Sequence, residues 1–275
     1  MTTEQIVAQH YTHGSLETAI LDGLRRSGKN ADRIDPDDLA PGDEFHIGGR
    51  QATVEFAEQL GLRPGLELLD IGSGIGGPAR YFAHHRQCRV TGIDLTDEYV
   101  RVASALSERA GLAGNLKFVQ GSALALPFPP ASFDGAYMLH VGMNIADKAT
   151  LFAQVKRALK PGGVFGVYDV MRTAPGDLAF PVPWTRTAAS SFVAATDDYR
   201  RLLREAGFAV QKERERRAFA IEFFKKVQAR VAESGLPPLG LHVVMGADFR
   251  DMVGNLMANL ENGLVAPTEM ICRAT

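Results

Sequence analysis

Asp70 and Asp94 each close a short apolar stretch, and the turn Gly72-Ser73-Gly74-Ile75-Gly76-Gly77 lies between them. A turn built almost wholly of glycine lets a ligand lie against bare backbone, because glycine has no Cβ and tolerates φ > 0. A helix starts near Pro78 and continues through Ala79, Tyr81 and Phe82, so its first N–H groups point at whatever fills the turn. Asp94 follows a second apolar stretch, Arg89–Ile93. In nucleotide-binding folds a carboxylate at that place accepts hydrogen bonds from ribose hydroxyls. The chemistry implied is the binding of a nucleoside-bearing cofactor.

Two cofactor classes fit a glycine turn. Gly72, Gly74 and Gly77 match the G-x-G-x-x-G pattern of dinucleotide sites. Asp70 argues against that class, because a carboxylate just before the first glycine would face a diphosphate as a like charge. It suits instead a cofactor carrying an ammonium and a sulfonium. The run Leu68–Gly77, L-L-D-I-G-S-G-I-G-G, closely resembles motif I of the class I S-adenosyl-L-methionine (SAM)-dependent methyltransferases. The resemblance continues through Gly121-Ser122-Ala123, Leu126-Pro127-Phe128, Ser132-Phe133-Asp134 and Lys160-Pro161-Gly162-Gly163.

That resemblance implies SAM as cofactor and S-adenosyl-L-homocysteine as product, and it assigns positions. Gly72, Gly74 and Gly76 would line the methionine moiety, Asp94 would hold the ribose, and Leu95 would pack on the adenine. The turn holding Ser122 and Ala123 would meet the adenine amino group with a side chain and the ring with a backbone N–H. The family usually carries Asp at position 122; the serine hydroxyl is shorter and uncharged. Ser122 therefore either touches adenine weakly or binds its own turn. Asp70 either orients the cofactor amino group or braces the glycine loop.

On the acceptor side, Asp134 to Asn144 crosses the end of a fourth strand, where side chains face the methyl group in an open α/β sheet. Methyl transfer is an in-line displacement, so the protein has mainly to position the acceptor and exclude water. A base is needed only for a protonated acceptor, and His140 is suited to that task or to binding the acceptor. The other reading of His140 is a structural histidine capping the next turn. Leu139 stands where relatives often carry a polar residue. In the N-terminal segment Tyr11, His13, Phe45 and His46 draw notice. Tyr11 is the first choice for an aromatic lid near the methyl. His46 could reach the cofactor carboxylate or the acceptor. The alternative for each is packing of a cap onto the core.

Apolar runs alternating with helical periodicity predict the elements that position these groups. Strands are expected at Glu67–Ile71, Arg89–Asp94, Leu116–Gln120, Phe133–Leu139, Val164–Asp169, Ala209–Arg214 and Glu269–Arg273. The fold class is α/β: a Rossmann-like, seven-stranded, mostly parallel sheet with helices on both faces. Residues 1–49 form an N-terminal helical cap, 50–215 the SAM-binding core, 216–265 a helical insertion and 266–275 the last core strand. A helix from about Asp147 should carry Leu151, Val155 and Leu159 inward and stop at Lys160-Pro161-Gly162-Gly163. The Met245–Met257 stretch reads as a helix in the core or at a subunit contact, so a homodimer is among the expected partners.

Composition narrows the class further. With 275 residues, 45% hydrophobic and 23% charged, the chain is ordinary globular material. A net charge of −2 argues against a nucleic-acid partner. No apolar run approaches a bilayer span, and the N-terminus lacks signal-peptide features. Cys88 and Cys272 have no metal-like spacing and read as packing thiols of a reducing cytoplasm. No metal site is expected. Leu139-His140-Val141-Gly142 stands where a base-methylating DNA enzyme would show N/D-P-P-Y/F, and neither cysteine follows a proline as a 5-methylcytosine enzyme requires. The expected function is methyl transfer to N or O, in preference to C, of a small metabolite in an enclosed pocket. The group resembled includes sarcosine/dimethylglycine, phosphoethanolamine and tocopherol methyltransferases. The alternatives are a SAM-binding regulator without turnover and, third, an NAD(P)-dependent oxidoreductase.

Overall fold

The computed structural model describes residues 2–12 and 14–275; His13 lies outside the described residues. Seven strands form one sheet: β1 (Glu67–Ile71), β2 (Arg89–Asp94), β3 (Leu116–Gln120), β4 (Phe133–Leu139), β5 (Leu159–Arg172), β6 (Phe208–Glu215) and β7 (Val265–Ala274). Their order is β3-β2-β1-β4-β5-β7-β6, with β1 to β5 parallel and β7 antiparallel to both its neighbours. The chain winds outward from β1 to β3 and then restarts on the other side at β4. This leaves a crevice beyond the carboxyl ends of β1 and β4, the topological switch point where such sheets bind ligands.

Helices α1 (Thr3–Tyr11), α2 (Leu16–Arg26), α3 (Ala40–Asp43) and α4 (Gly49–Leu60) precede β1. Then come α5 (Gly77–Arg86), α6 (Asp97–Arg109), α7 (Lys148–Ala158) and α8 (Thr196–Glu205) between strands. Helices α9 (Arg217–Ser234), α10 (Leu241–Met245) and α11 (Phe249–Glu261) lie between β6 and β7. Successive strand residues point to opposite faces. Leu68, Tyr137 and Val164 accordingly join Phe56 and Leu60 of α4 and Phe82 of α5 in one core. Leu69, Met138 and Phe165 join Phe152 and Val155 of α7 and Leu203 of α8 in the other. Gly166 lets α4 approach β5, because a Cβ there would lie 2.5 Å from both Phe56 and Leu60.

The first four strands fall on the expected residues. The fifth begins at Leu159, not Val164, and Leu159 pairs with Phe133 instead of lying on the helix before it; α7 ends at Ala158. The pattern reading assigns no helix to Gly49–Leu60 or Thr196–Glu205, and both are helical. Met245, Met252 and Met257 are buried, and Met257 packs with Leu256, Trp184 and Phe224. They pack within the chain, and Met245 also lines the cavity described below. Among the described residues, no helix is long and apolar enough to cross a membrane. Cys88 and Cys272 are buried free thiols.

One fully buried cation joins the cap to the core. Arg80 of α5 donates to Asp43 Oδ2 (2.8 Å), to the Ile75 carbonyl in the glycine turn (2.7 Å) and to Ser107 Oγ in α6 (3.1 Å). Gly77 has no side chain to block this arrangement, since a Cβ there would collide with the Asp43 backbone. Removing one partner of a buried ion pair leaves the other charge uncompensated. Arg80→Ala should therefore lower unfolding stability by about 3–5 kcal/mol in denaturant titration. A loss under about 1 kcal/mol would show that the pair does not hold the two parts together.

Candidate functional site

A single cavity of about 330 Å³ occupies the switch point. Its floor is the glycine turn, and the three glycines expected to line it behave differently. Gly74 has φ +52° and nothing within 4 Å of a built Cβ, so its Cα faces open space. Gly72 has φ +67°, and a Cβ there would come within 2.5 Å of Val141, so it allows close packing against the turn after β4. Gly76, with φ +82°, caps α5 and backs onto Phe118 and Arg80. Gly72 and Gly74 line the cavity; Gly76 is not part of its wall and serves the turn's architecture instead.

Asp94 is drawn to this turn by local geometry. Its Oδ2 accepts the Gly74 N–H (2.8 Å) and its Oδ1 the Thr96 N–H (2.9 Å), and the carboxylate lines the cavity. Each oxygen retains a lone pair for a further donor. Asp70 lies at the end of β1, buried, with no hydrogen-bond partner for Oδ2. Burial, reinforced by the nearby Asp94 charge, pushes its carboxyl up to about 8. The Tyr137 hydroxyl beside it opposes that rise only in part, and a buried carboxyl lining a cavity fits an incoming cation. Leu95, Gly121 and Ala123, at the ends of β2 and β3, also line the cavity. Ser122 does not line the cavity. Its Oγ accepts the Leu124 N–H (3.0 Å) and donates to Glu4 Oε1 in α1.

His140, His46 and Tyr11 all line the cavity. His140 follows β4 with φ +56°, an uncommon conformation for a residue with a side chain. Its backbone N–H donates to the Tyr168 carbonyl (2.7 Å), which holds the ring 4.7 Å from the Tyr168 ring and 6.0 Å from that of His46. Both ring nitrogens are buried without partners. Burial, with the His46 ring beside it, holds its pKa well below the usual histidine range. Burial likewise pushes His46 down to about 4. Its Nε2 donates to the Gly49 carbonyl (3.2 Å) and contacts Thr53 Oγ1 (3.0 Å), leaving Nδ1 as the lone pair of a neutral ring. The Tyr11 hydroxyl accepts from Asn144 Nδ2 (3.1 Å), and its ring packs against Phe45 and Tyr99. Leu139 also lines the cavity.

Sequence reasoning did not single out the side chains of the far wall. Trp184, Phe223, Val244, Met245, Val253 and Leu256 close the acceptor end, and none carries a signal distinguishing it from core packing. It also missed Glu4, Asn144 and Arg80. The alternating charges Lys212–Arg217 sit on the edge strand β6 and the start of α9, where Arg214 and Arg216 pair with Glu55 and Glu269.

With this geometry in place, comparison with known proteins is informative. Residues 69–167 match the methyltransferase domain family. These residues hold the glycine turn, Asp94, the turn after β3 and His140. The chain thus carries a methyltransferase domain over these residues. Over 135 residues it is 38% identical to the sterol 24-C-methyltransferase ERG6B of Gibberella zeae, covering 49% of this chain and 36% of that protein. The chain thus spans about a third of that relative's length. Its fold is shared with phosphoethanolamine N-methyltransferase 2 of Haemonchus contortus, solved with SAM (TM-score 0.74, 18% identity, 100% of this chain and 60% of that one). It is shared also with geranyl diphosphate C-methyltransferase of Streptomyces coelicolor A3(2) (TM-score 0.72, 14% identity, 100% and 98%). Asp70, buried beside an open Gly74, lines the cavity floor.

Two measurements test the cofactor end. Gly74→Val should abolish calorimetric binding of S-adenosyl-L-homocysteine while circular dichroism stays native, because a branched side chain at positive φ would fill the open floor. Normal binding would place the cofactor elsewhere. At pH 7 an Asp70 titrating near 8 is mostly protonated, and an ammonium beside it favours the carboxylate. Binding should therefore release up to about one proton, strengthen from pH 7 toward 8, and lose the release in Asp70→Asn. Buffer-independent binding enthalpy in the wild type would refute this role.

Proposed function

We propose that the protein is a SAM-dependent methyltransferase acting on a small, largely apolar molecule. One observation carries the reading: a single cavity joins the polar floor of Asp70, Gly74 and Asp94 to an apolar wall supplied by α9, α10 and α11. SAM, when bound, supplies an electrophilic methyl group on a sulfonium. Asp94 would hold its ribose hydroxyls, Leu95 and Ala123 its adenine, and Asp70 its amino group. The cap excludes water, and Val7, Tyr11 and Phe45 close the N-terminal side.

The acceptor end offers neutral groups: the imidazoles of His140 and His46, the Tyr11 hydroxyl and the Asn144 amide. A general base works best with a pKa near the operating pH. A histidine held far below that range is a poor proton acceptor but a ready hydrogen-bond acceptor. His140 therefore orients the acceptor by receiving its O–H or N–H, and Tyr11 and His46 complete the enclosure. This reading expects methylation at N or O. A second reading, methylation at carbon, is favoured by the similarity to a sterol 24-C-methyltransferase and by the apolar wall.

Incubation with methyl-labelled SAM and a panel of apolar alcohols, amines and polycyclic or terpenoid alkenes tests both readings. Label in a heteroatom-bound methyl supports the first, and label on carbon the second. S-adenosyl-L-homocysteine that never forms despite SAM binding, even in single turnover, would leave a binding protein. For a heteroatom acceptor, His140→Ala should raise KM roughly 5–30-fold with kcat nearly unchanged, the cost of one lost hydrogen bond. A kcat loss of about 10²–10⁴-fold would instead make His140 the base.

A further inference from the structure

We infer that Glu4, on the N-terminal helix, recognises the exocyclic amino group of the cofactor's adenine. The inference rests on the SAM-binding reading above. The nucleoside end of the cavity is fixed by Asp94, Leu95, Gly121 and Ala123, at the ends of β2 and β3. A base extending beyond a ribose held at Asp94 meets the turn after β3. No carboxylate belongs to that turn, and Ser122 is not part of the cavity wall. Glu4 comes from another element to the same wall. It lines the cavity, and Ser122 Oγ donates to its Oε1. Its Oε2 has no hydrogen-bond or ion-pair partner among the described residues.

The placement of α1 is built, not incidental. A capping box between Thr2 and Gln5 starts the helix, with the Thr2 N–H donating to Gln5 Oε1 (2.8 Å) and the Gln5 N–H to Thr2 Oγ1 (3.2 Å). Glu4, Val7 and Tyr11 follow at spacings of three and four, so one helix face meets the cavity. The far end of α1 is tied by Tyr11 to Asn144 and by His10 Nε2 to the Pro183 carbonyl (3.1 Å). Ser122 fixes the near end. A carboxylate oxygen held this way can only accept a hydrogen bond. It therefore favours a 6-amino purine, which donates, over a 6-oxo purine, whose oxygen would oppose it. Because Glu4 belongs to the cap, recognising the base also holds the cap shut.

Calorimetry with S-adenosyl-L-homocysteine and its 6-oxo analogue, S-inosyl-L-homocysteine, tests this in the full chain. The wild type should prefer the amino form roughly 10–100-fold, the range for a hydrogen bond to a charged group. Glu4→Ala should reduce the preference to within about threefold, and Ser122→Asp in that background should restore it. Glu4→Gln keeps the side-chain length but can turn either its oxygen or its NH₂ toward the base, so it too should lose the preference. It supplies the ratio if the alanine variant binds neither ligand. The same preference in wild type and both Glu4 variants, or none in the wild type, would overturn the role of Glu4 while leaving the methyltransferase reading intact. No binding of S-adenosyl-L-homocysteine by the wild type would overturn that reading itself, and this proposal with it.

Discussion

The cavity depends on the buried guanidinium of Arg80. Taking a full charge out of water is costly, and an ion pair repays that cost only when hydrogen bonds satisfy the donors around it. Arg80 meets most of that condition by binding three parts of the chain at once, Asp43 from the cap, the Ile75 carbonyl from the glycine turn and Ser107 from α6, while its Nε is left without a partner. The carbonyl bond fixes the turn that forms the floor. The Asp43 bond sets the height of Phe45 and His46, which follow it directly in the chain. Floor and roof therefore share one reference point, and Gly77 is the small residue that lets them approach. A hydrophobic contact could supply comparable stability but would not specify that register.

The enclosure this creates is short of unpaired charge on its acceptor side. His46 and His140 are held neutral by burial, and the Asp43 carboxylate is turned onto Arg80. Such surroundings suit a reaction whose positive charge starts on sulfur and spreads toward the acceptor, because a low-dielectric wall penalises concentrated charge more than dispersed charge. The same wall keeps water from competing for the methyl. Asp70 and Asp94 lie together on the floor, where on the proposed function they would face the charged and hydroxylated parts of the cofactor. The gradient from polar floor to apolar roof separates binding the cofactor from choosing the acceptor.

The cofactor end was legible in the sequence because its parts are contiguous. One strand, one glycine turn and a carboxylate at the next strand end lie within a short span, and parallel strands buried on both faces read as uninterrupted apolar runs. The limits of that reading are physical. Gly76 looked like its neighbours Gly72 and Gly74, but only the local path of the turn sends its Cα toward Phe118. Helix α4 carries Ala52, Phe56, Ala57 and Leu60 at helical spacing, yet begins at a Gly-Gly pair that reads as a loop. Ser122 suggested a weak adenine contact, and what actually meets its hydroxyl is Glu4, 118 positions earlier in the chain. No local pattern marks a first-turn glutamate as part of a site formed by tertiary packing.

The acceptor end was illegible for a deeper reason, which also governs what the relatives can teach. The family match ends at residue 167, whereas Trp184, Phe223, Val244, Met245, Val253 and Leu256 all lie beyond it, and Glu4, Tyr11 and His46 all precede it. Within the matched span the chain must fold a glycine turn and place two carboxylates, tasks that leave little freedom in residue type. Outside it, any apolar side chain of suitable volume can close the roof, so sequence there is free to follow the shape of the acceptor. Similarity to a sterol methyltransferase over half of this chain therefore speaks chiefly to the floor. On the proposed function, the acceptor would be selected by the wall that α9 to α11 build with the segment bearing Trp184. His140 and Asn144 bridge the two regimes, since both belong to the matched span and yet meet the cap, His140 through the ring of His46 and Asn144 through the Tyr11 hydroxyl.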